Sequence, residues 1–109
     1  MHVVALQYDI AWENREANFD TVRRLLTGAA VSPGSLIVLP EMFSTGFSMN
    51  VPRVAEGKAS ETEKFLSSLA WQYESHVVGG LVSKDSSSAL GRNEVAVYDP
   101  SGRPVALYQ

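Results

Sequence analysis

The chain has 109 residues, which is enough for one domain over residues 1–109. Its net charge of −3 excludes the clustered basic surface of nucleic-acid-binding proteins, and the absence of cysteine excludes disulfides, thiol nucleophiles and cysteine metal ligands within these residues. No apolar run approaches the roughly 20 residues of a membrane-spanning helix, and the first residues have no signal-peptide pattern. We therefore expect no membrane partner and a cytoplasmic location.

Residues 3–8 and 35–40 are short, almost wholly apolar runs, a pattern typical of strands buried on both faces of a parallel sheet. Between them Asn14 is placed to cap a helix, and Ser-Pro-Gly at 32–34 turns the chain. One apolar stripe follows this helix at three- and four-residue steps, through Phe19, Val22, Leu25, Leu26 and Ala29. The order of strand, helix and strand predicts a parallel pair.

Residues 41–59 show no clean period and contain two glycines and a proline, so they predict a long loop. Ser60 and Glu63 have the spacing of a capping box, which predicts the start of a second helix. A second apolar stripe follows, through Phe65, Leu66, Leu69, Ala70 and Tyr73.

Residues 76–83 predict a third strand, whose Gly79-Gly80 pair indicates a bulge or the close approach of another backbone segment. The polar residues 84–92, with three consecutive serines, predict a surface loop.

The last residues predict an antiparallel hairpin. Residues 94–98 and 103–108 alternate between apolar and polar side chains, and Asp-Pro-Ser-Gly at 99–102 fits a β-turn between them. The whole order of elements predicts an α/β fold with a mixed sheet and helices on at least one face.

Glu41 is the leading candidate for chemistry. It directly follows the apolar run Leu-Ile-Val-Leu-Pro, and open α/β sheets bind their ligands at the carboxyl ends of such strands. Its neighbours Met42 and Phe43 would disfavour the charged carboxylate by desolvation, which suits a general base. A carboxylate that caps a turn or pairs with an arginine explains the same pattern. Asp9, after the first strand, is expected at the same carboxyl edge and could orient neighbouring groups, although a helix-entry turn explains it equally well.

The remaining polar candidates favour no metal or cofactor site. His2 and His76 have no metal-ligand spacing with another histidine or cysteine, so we expect neither a metal ion nor a cofactor. Asn93, at the start of the hairpin, is expected to hydrogen-bond the backbone of the neighbouring loop.

The segment Leu-Pro-Glu-Met-Phe-Ser-Thr-Gly-Phe-Ser-Met at 39–49 is the most specific pattern in the chain. It occurs together with Trp-Glu-Asn at 12–14, Gly79-Gly80 and Tyr-Asp-Pro-Ser-Gly at 98–102. From residue 3 onward the chain thus resembles the amino-terminal part of a nitrilase-superfamily carbon–nitrogen hydrolase. Within that superfamily it is most similar to the omega-amidase branch, which hydrolyses the side-chain amide of 2-oxoglutaramate-like acids.

This resemblance implies the amino-terminal part of an α-β-β-α sandwich, with a mixed sheet and helices on one face. It implies a Glu-Lys-Cys triad in which Glu41 is the base, a small-molecule amide substrate, no cofactor, and a homo-oligomer in the full-length protein. Phe43 and Thr45, with Phe47, are candidates to line the substrate pocket, although packing beneath the loop explains these side chains equally well.

The chain departs from the family pattern at its end. It has no cysteine, and the family's lysine, in a Tyr-x-Lys pattern, is due immediately after Tyr108-Gln109. We therefore expect a natural chain that continues, a 109-residue piece that has no amidase activity by itself, and an uncovered apolar sheet face that favours association.

Two alternatives remain open at this stage. A metal-dependent phosphoesterase of the endonuclease/exonuclease/phosphatase type also has a four-layer sandwich and a glutamate at a strand end, there as a magnesium ligand. Such enzymes tend to carry an asparagine late in the first strand, where this chain has Gln7-Tyr8-Asp9. The second alternative is a non-catalytic α/β remnant.

Overall fold

A five-stranded mixed sheet forms the centre of the fold, in a computed structural model that describes residues 1–85, 87 and 89–109. The strands lie across the sheet in chain order. They are β1 (Val3–Ala5), β2 (Leu36–Val38), β3 (His76–Lys84), β4 (Gly91–Tyr98) and β5 (Pro104–Tyr108). The helices of the described residues are α1 (Arg15–Ala29), α2 (Val51–Val54) and α3 (Glu61–Gln72).

The strand pairing confirms the predicted mixed sheet. β1 and β3 both pair with β2 in parallel, and Val4, Ile37 and Val77 stand in register across them. β4 pairs antiparallel with β3 and with β5. The turn between β4 and β5 is closed by a hydrogen bond of 2.8 Å from the Gly102 nitrogen to the Asp99 oxygen, as the Asp-Pro-Ser-Gly pattern predicts.

Both long helices begin where their capping residues predict. Asn14 Oδ1 accepts a hydrogen bond of 3.1 Å from the Ala17 nitrogen at the start of α1. At the start of α3, Ser60 Oγ accepts one of 3.2 Å from the Glu63 nitrogen. The return half of the capping box differs from the prediction, because the Glu63 carboxylate accepts from the Ala59 nitrogen rather than from Ser60.

The two long helices pack on the same face of the sheet. The connections β1-α1-β2 and β2-α3-β3 step across the sheet in the same direction, and right-handed crossovers then place both helices on one side. We call this side the covered face. Its sheet residues are Val4, Ile37, Val77, Leu81, Ala96 and Tyr98.

Aromatic stacking fills the space between the helices and the covered face. The Phe19 and Phe65 rings stack with centroids 4.1 Å apart, and the Phe43 ring lies 6.2 Å from Phe19. Val22 and Leu26 complete the buried stripe of α1. The predicted stripe is therefore only partly confirmed, because Leu25 and Ala29 lie at its margin and are exposed.

The opposite side of the sheet, here called the open face, carries neither of the two long helices, and α2 approaches it at Gly91, where the Val51 side chain lies. By strand register its apolar side chains are Val3, Ala5, Leu36, Val38, Val78, Val82, Val95, Val97, Ala106 and Tyr108, of which Val82 is buried. The central valines are half-buried by one another, whereas the Val3 and Tyr108 side chains near the sheet edges are 61% and 77% exposed. The prediction that the strand at 3–8 is buried on both faces is therefore wrong.

Two further predictions differ from the structure. The segment 41–59 contains the short helix α2 and a bridge in which Glu56 pairs with Ser83, so it is not a featureless loop. The loop predicted at 84–92 is shorter, since β3 runs to Lys84 and β4 begins at Gly91. Two residues of that loop, Ser86 and Ser88, lie outside the described residues. Among the described residues, no helix has the length and apolar character needed to cross a bilayer.

Candidate active site

Glu41 lies where β2 leaves the sheet. The Leu39 nitrogen still donates to the Val78 oxygen of β3 at 2.8 Å, and Pro40 then ends the ladder because it has no N–H to donate. Glu41 follows immediately, with its side chain exposed at the carboxyl edge of the parallel strands. This is the position that the sequence predicted for a functional carboxylate.

Gly80 allows the Glu41 backbone to lie directly against β3. A Cβ on Gly80 would stand 2.8 Å from the Met42 nitrogen and 3.0 Å from Glu41 Cα, closer than packed atoms tolerate. Met42 itself has a positive φ of 48°, which turns the chain sharply away from the sheet. The close backbone approach predicted at the glycine pair is confirmed, and it holds the candidate base in place.

Asn93 is the partner of Glu41 in this structure. Its Nδ2 donates a hydrogen bond of 2.5 Å to Glu41 Oε1, across the width of β3. The expectation that Asn93 bonds the loop backbone is therefore wrong. The register could have located this residue, since Asn93 precedes Val95 and Val97 by even steps on β4 and so shares the open face with them.

The segment after Glu41 is held by hydrogen bonds from the connection between β1 and α1 and from α1 itself. Tyr8 Oη donates to the Phe43 oxygen at 3.0 Å, and Asn18 Nδ2 donates to the Ser44 oxygen at 2.8 Å. Burial raises the pKa of the Tyr8 phenol above its ordinary value, so the hydroxyl remains a donor at neutral pH. The sequence had singled out neither residue as a support of the site, because both act through backbone oxygens far away in the chain.

A second layer of polar contacts fastens the same segment to α3. Thr62 Oγ1 donates to Glu56 Oε2 at 2.6 Å and lies 3.1 Å from Ser44 Oγ. Arg15 Nε lies 3.2 Å from the same Glu56 oxygen. The hydrogen bonds of Thr62 and the ion pair of Arg15 with Glu56 help to hold a segment with little regular structure in one position.

The two candidate pocket residues lie away from Glu41. Phe43 is fully buried in the aromatic cluster on the covered face, and Thr45 is 1% exposed with its hydroxyl donating to the Gly46 oxygen. A role of either residue in substrate binding stays a prediction. The expected desolvation of Glu41 by Met42 and Phe43 is wrong for this chain, because Phe43 points to the other side of the sheet and Glu41 is exposed.

A concavity of about 390 Å³ opens beside Glu41 on the open face. Its volume is within the range of small-molecule pockets. Its lining combines the apolar side chains of Val38, Leu39, Val78 and Val95 and the Tyr108 ring with the polar side chains of Glu41, Asn93 and Gln109. No group of three or more histidine, cysteine or acidic side chains among the described residues could hold a metal ion.

Comparison with known proteins identifies the family. A sequence profile described as carbon-nitrogen hydrolase matches residues 2–109. The chain belongs to this family. Membership favours the carbon–nitrogen hydrolase over the phosphoesterase considered from the sequence. No curated protein sequence matches this carbon–nitrogen hydrolase chain at a significant level.

Solved structures show the same fold at low sequence identity. XC1258 from Xanthomonas campestris, a CN-hydrolase superfamily protein with an arsenic adduct in its active site, superposes with a TM-score of 0.84 at 23% identity over 99% of this chain. An N-terminal amidase gives a TM-score of 0.81 at 17% identity over 97% of this chain, and a carbon-nitrogen hydrolase from Helicobacter pylori G27 gives 0.77 at 18% over 99%. The chain spans 40%, 27% and 38% of these three structures, respectively.

Proposed function

We propose that this chain is the amino-terminal part of an amidase, in which Glu41 is the general base. The observation that carries this proposal is the placement of the Glu41 carboxylate at the carboxyl edge of the sheet, bonded to Asn93 and facing a concavity whose lining is mainly apolar. Carbon–nitrogen hydrolase membership supports the reaction class. We further propose the omega-amidase type of substrate, a small 2-oxoglutaramate-like acid that bears an amide.

The chemistry requires a cysteine, which the chain does not contain, and a lysine, which the Tyr-x-Lys pattern of the family resemblance puts directly after Gln109. Glu41 takes the proton of a cysteine thiol, and the thiolate attacks the amide carbonyl. A lysine ammonium stabilises the oxyanion, Glu41 returns the proton to the leaving ammonia, and a thioester remains. Water, deprotonated by Glu41, then hydrolyses the thioester to the acid and the free thiol. The chain by itself is accordingly inactive under this proposal.

The decisive experiment extends the chain from its gene. We expect a lysine codon directly after codon 109 and a cysteine codon farther on. The encoded polypeptide should release ammonia from 2-oxoglutaramate, and Glu41→Gln should lower the rate by about 10²–10⁴-fold, the usual contribution of a general base. Glu16→Gln is the matched control, since Glu16 is exposed on α1 and belongs to no part of the site.

Each part of the proposal has its own contrary outcome. Ammonia release from nitriles or from peptides with amino-terminal Asn or Gln, but not from 2-oxoglutaramate, would contradict the substrate. An immediate stop codon would contradict the amidase and favour the non-catalytic remnant. Ammonia release by the 109-residue chain, abolished by Glu41→Gln, would contradict the division of the triad between this chain and a continuation.

We also propose that the whole enzyme is a cytoplasmic homo-oligomer that acts on small molecules. The family resemblance supports the homo-oligomer, whereas the apolar open face is a reason to expect association of the 109-residue chain by itself, because the second sheet of a sandwich would cover that face in the whole enzyme. Analytical ultracentrifugation of the extended polypeptide should show a species larger than one chain, and cell fractionation should place it in the cytoplasm. A sharp monomer peak would contradict the oligomer.

A further inference from the structure

We propose that Asn93 is a positioning residue, which holds one oxygen of the Glu41 carboxylate so that the other faces the concavity. The inference rests on the proposed role of Glu41 as a base. It goes further, because it assigns a second residue to the site and states how that residue acts.

The two side chains differ in how firmly the backbone holds them. Asn93 belongs to the long strand β4 and pairs with Val82 in the antiparallel ladder. Glu41 follows the end of β2 and is exposed, so its three side-chain torsions are restricted by few packed neighbours. The hydrogen bond from Asn93, which the β4 ladder holds in place, therefore restricts the position of the Glu41 carboxylate.

The bond leaves one carboxylate oxygen available. Asn93 Nδ2 donates to Glu41 Oε1, and Oε2 has no hydrogen-bond partner among the described residues. A carboxylate has lone pairs on both oxygens, and a general base needs one that is accessible to the incoming proton. Oε2 is thus the oxygen that accepts the proton from the nucleophile.

The neutral amide suits this task better than a cation would. A lysine or arginine at the same distance would form an ion pair and stabilise the carboxylate anion more strongly, which would oppose proton uptake. None of the ion pairs among the described residues includes Glu41. Arg92 is next to Asn93 in sequence, yet it pairs with Asp85 and donates to Gln109.

The first test uses nuclear magnetic resonance of the 109-residue chain and needs no activity. We expect one Asn93 side-chain amide proton to resonate downfield of those of Asn50, and to lose that shift in Glu41→Ala. Asn50 is the control because it is exposed and its side chain makes no hydrogen bond in the described structure. In Asn93→Ala, the three-bond couplings of Glu41 should become those of a freely rotating side chain. Identical amide shifts for Asn93 and Asn50, with unchanged Glu41 couplings, would overturn the inference.

The second test is a double-mutant cycle in the extended polypeptide. Asn93→Ala should lower kcat on the order of 100-fold, the cost of a displaced catalytic group, with little change in KM. In the Glu41→Gln background the same change should have less than about a twofold effect, because Asn93 acts only through Glu41. Asn50→Ala should leave both constants unchanged. A merely structural Asn93 would instead lower the rate by equal factors in both backgrounds, and that result would overturn the inference.

The outcomes separate this inference from the proposed function. If Glu41→Gln retains full activity, the proposed function fails whatever Asn93 does. If Glu41→Gln is inactive while Asn93→Ala has wild-type kcat, the proposed function stands and the positioning role fails. Circular dichroism checks that Asn93→Ala is folded, and we expect it to be, because the Asn93 side chain is exposed.

Discussion

The two faces of the sheet have similar apolar side chains and different tasks. On the covered face Ile37 and Val77 are fully buried beneath α1 and α3, whereas their neighbours Val38 and Val78 on the open face are only half-buried. The candidate base Glu41 and its hydrogen-bond partner Asn93 both border the open face. This chain therefore has its stabilising core on one side of the sheet and the surface available for chemistry on the other.

The segment after β2 connects the two faces. Glu41 lies beside the open face, and Phe43, two residues later, is fully buried on the covered face. The glycine pair shows the same division, since a Cβ on Gly79 would stand 2.6 Å from Leu66 Cδ2, whereas one on Gly80 would stand 2.8 Å from the Met42 nitrogen. The packing of the core therefore fixes where the carboxylate emerges.

A cavity on the covered side of the sheet should lower the stability of the chain more than a change on the open face or in the hairpin turn. Leu66→Ala should lower the free energy of unfolding by about 2–5 kcal/mol, because Leu66 is fully buried. Leu36→Ala, on the open face, should cost less than half as much. Urea unfolding followed by circular dichroism measures both. Equal losses would contradict the division of stability between the faces.

Replacing Gly80, beneath Glu41, with alanine should lower the stability of the chain, whereas replacing a glycine in open space should raise it. Gly80→Ala should destabilise the chain by about 1–3 kcal/mol, since the new methyl group has to displace the Glu41–Met42 backbone. Gly28→Ala in α1 meets no atom within 4 Å and should stabilise it by about 0.4–1 kcal/mol. Thermal melts of both variants measure the difference, and two shifts of the same sign would contradict it.

Val77 and Val78 are adjacent in β3 and point to opposite faces of the sheet, so the same substitution at each compares the burial of the two faces. Val77→Ala should cost roughly 1.5–2.5 kcal/mol, from two buried carbons at about 0.8 kcal/mol each and the cavity they leave. Val78→Ala should cost less than about 1 kcal/mol, because the Val78 side chain is only half-buried. Both substitutions change strand propensity by the same amount, so the difference between the two stability losses reports how deeply each face of the sheet is buried. A larger loss for Val78 would show that the open face is covered in solution.

The smallest effect concerns the hairpin turn, which belongs to neither face. Hydrogen bonds from the Ser101 side chain and the Arg103 backbone lower the pKa of Asp99 to about 2, below the value of about 3.9 expected in the unfolded chain. A carboxyl group with a lowered pKa stabilises the folded state above the unfolded value, and the contribution is lost as the pH falls through the folded value. The stability difference between the native chain and Asp99→Ala should thus be constant above about pH 4 and shrink toward pH 2. A difference that does not change with pH would contradict this assignment.

Local signals predicted much of the fold correctly. Asn14 and Ser60 mark the helix starts, and Asp-Pro-Ser-Gly marks the hairpin turn, because each depends on hydrogen bonds within a few residues. The prediction was wrong within 41–59, where α2 has four residues, too few for a helical period to show. It was also wrong for β1, whose apolar residues do not reveal which face another layer covers.

The sequence alone predicted the five strands, the two long helices, the parallel and antiparallel pairs, and Glu41 as the candidate base, because these depend on local pattern and on a family motif around one residue. Only the tertiary structure decided which face the helices cover and that Asn93 holds the Glu41 carboxylate. The physical reason is distance along the chain. Glu41 and Asn93 are 52 residues apart, and they meet only because β3 places β2 and β4 in register and Gly80 lets the backbone cross between them.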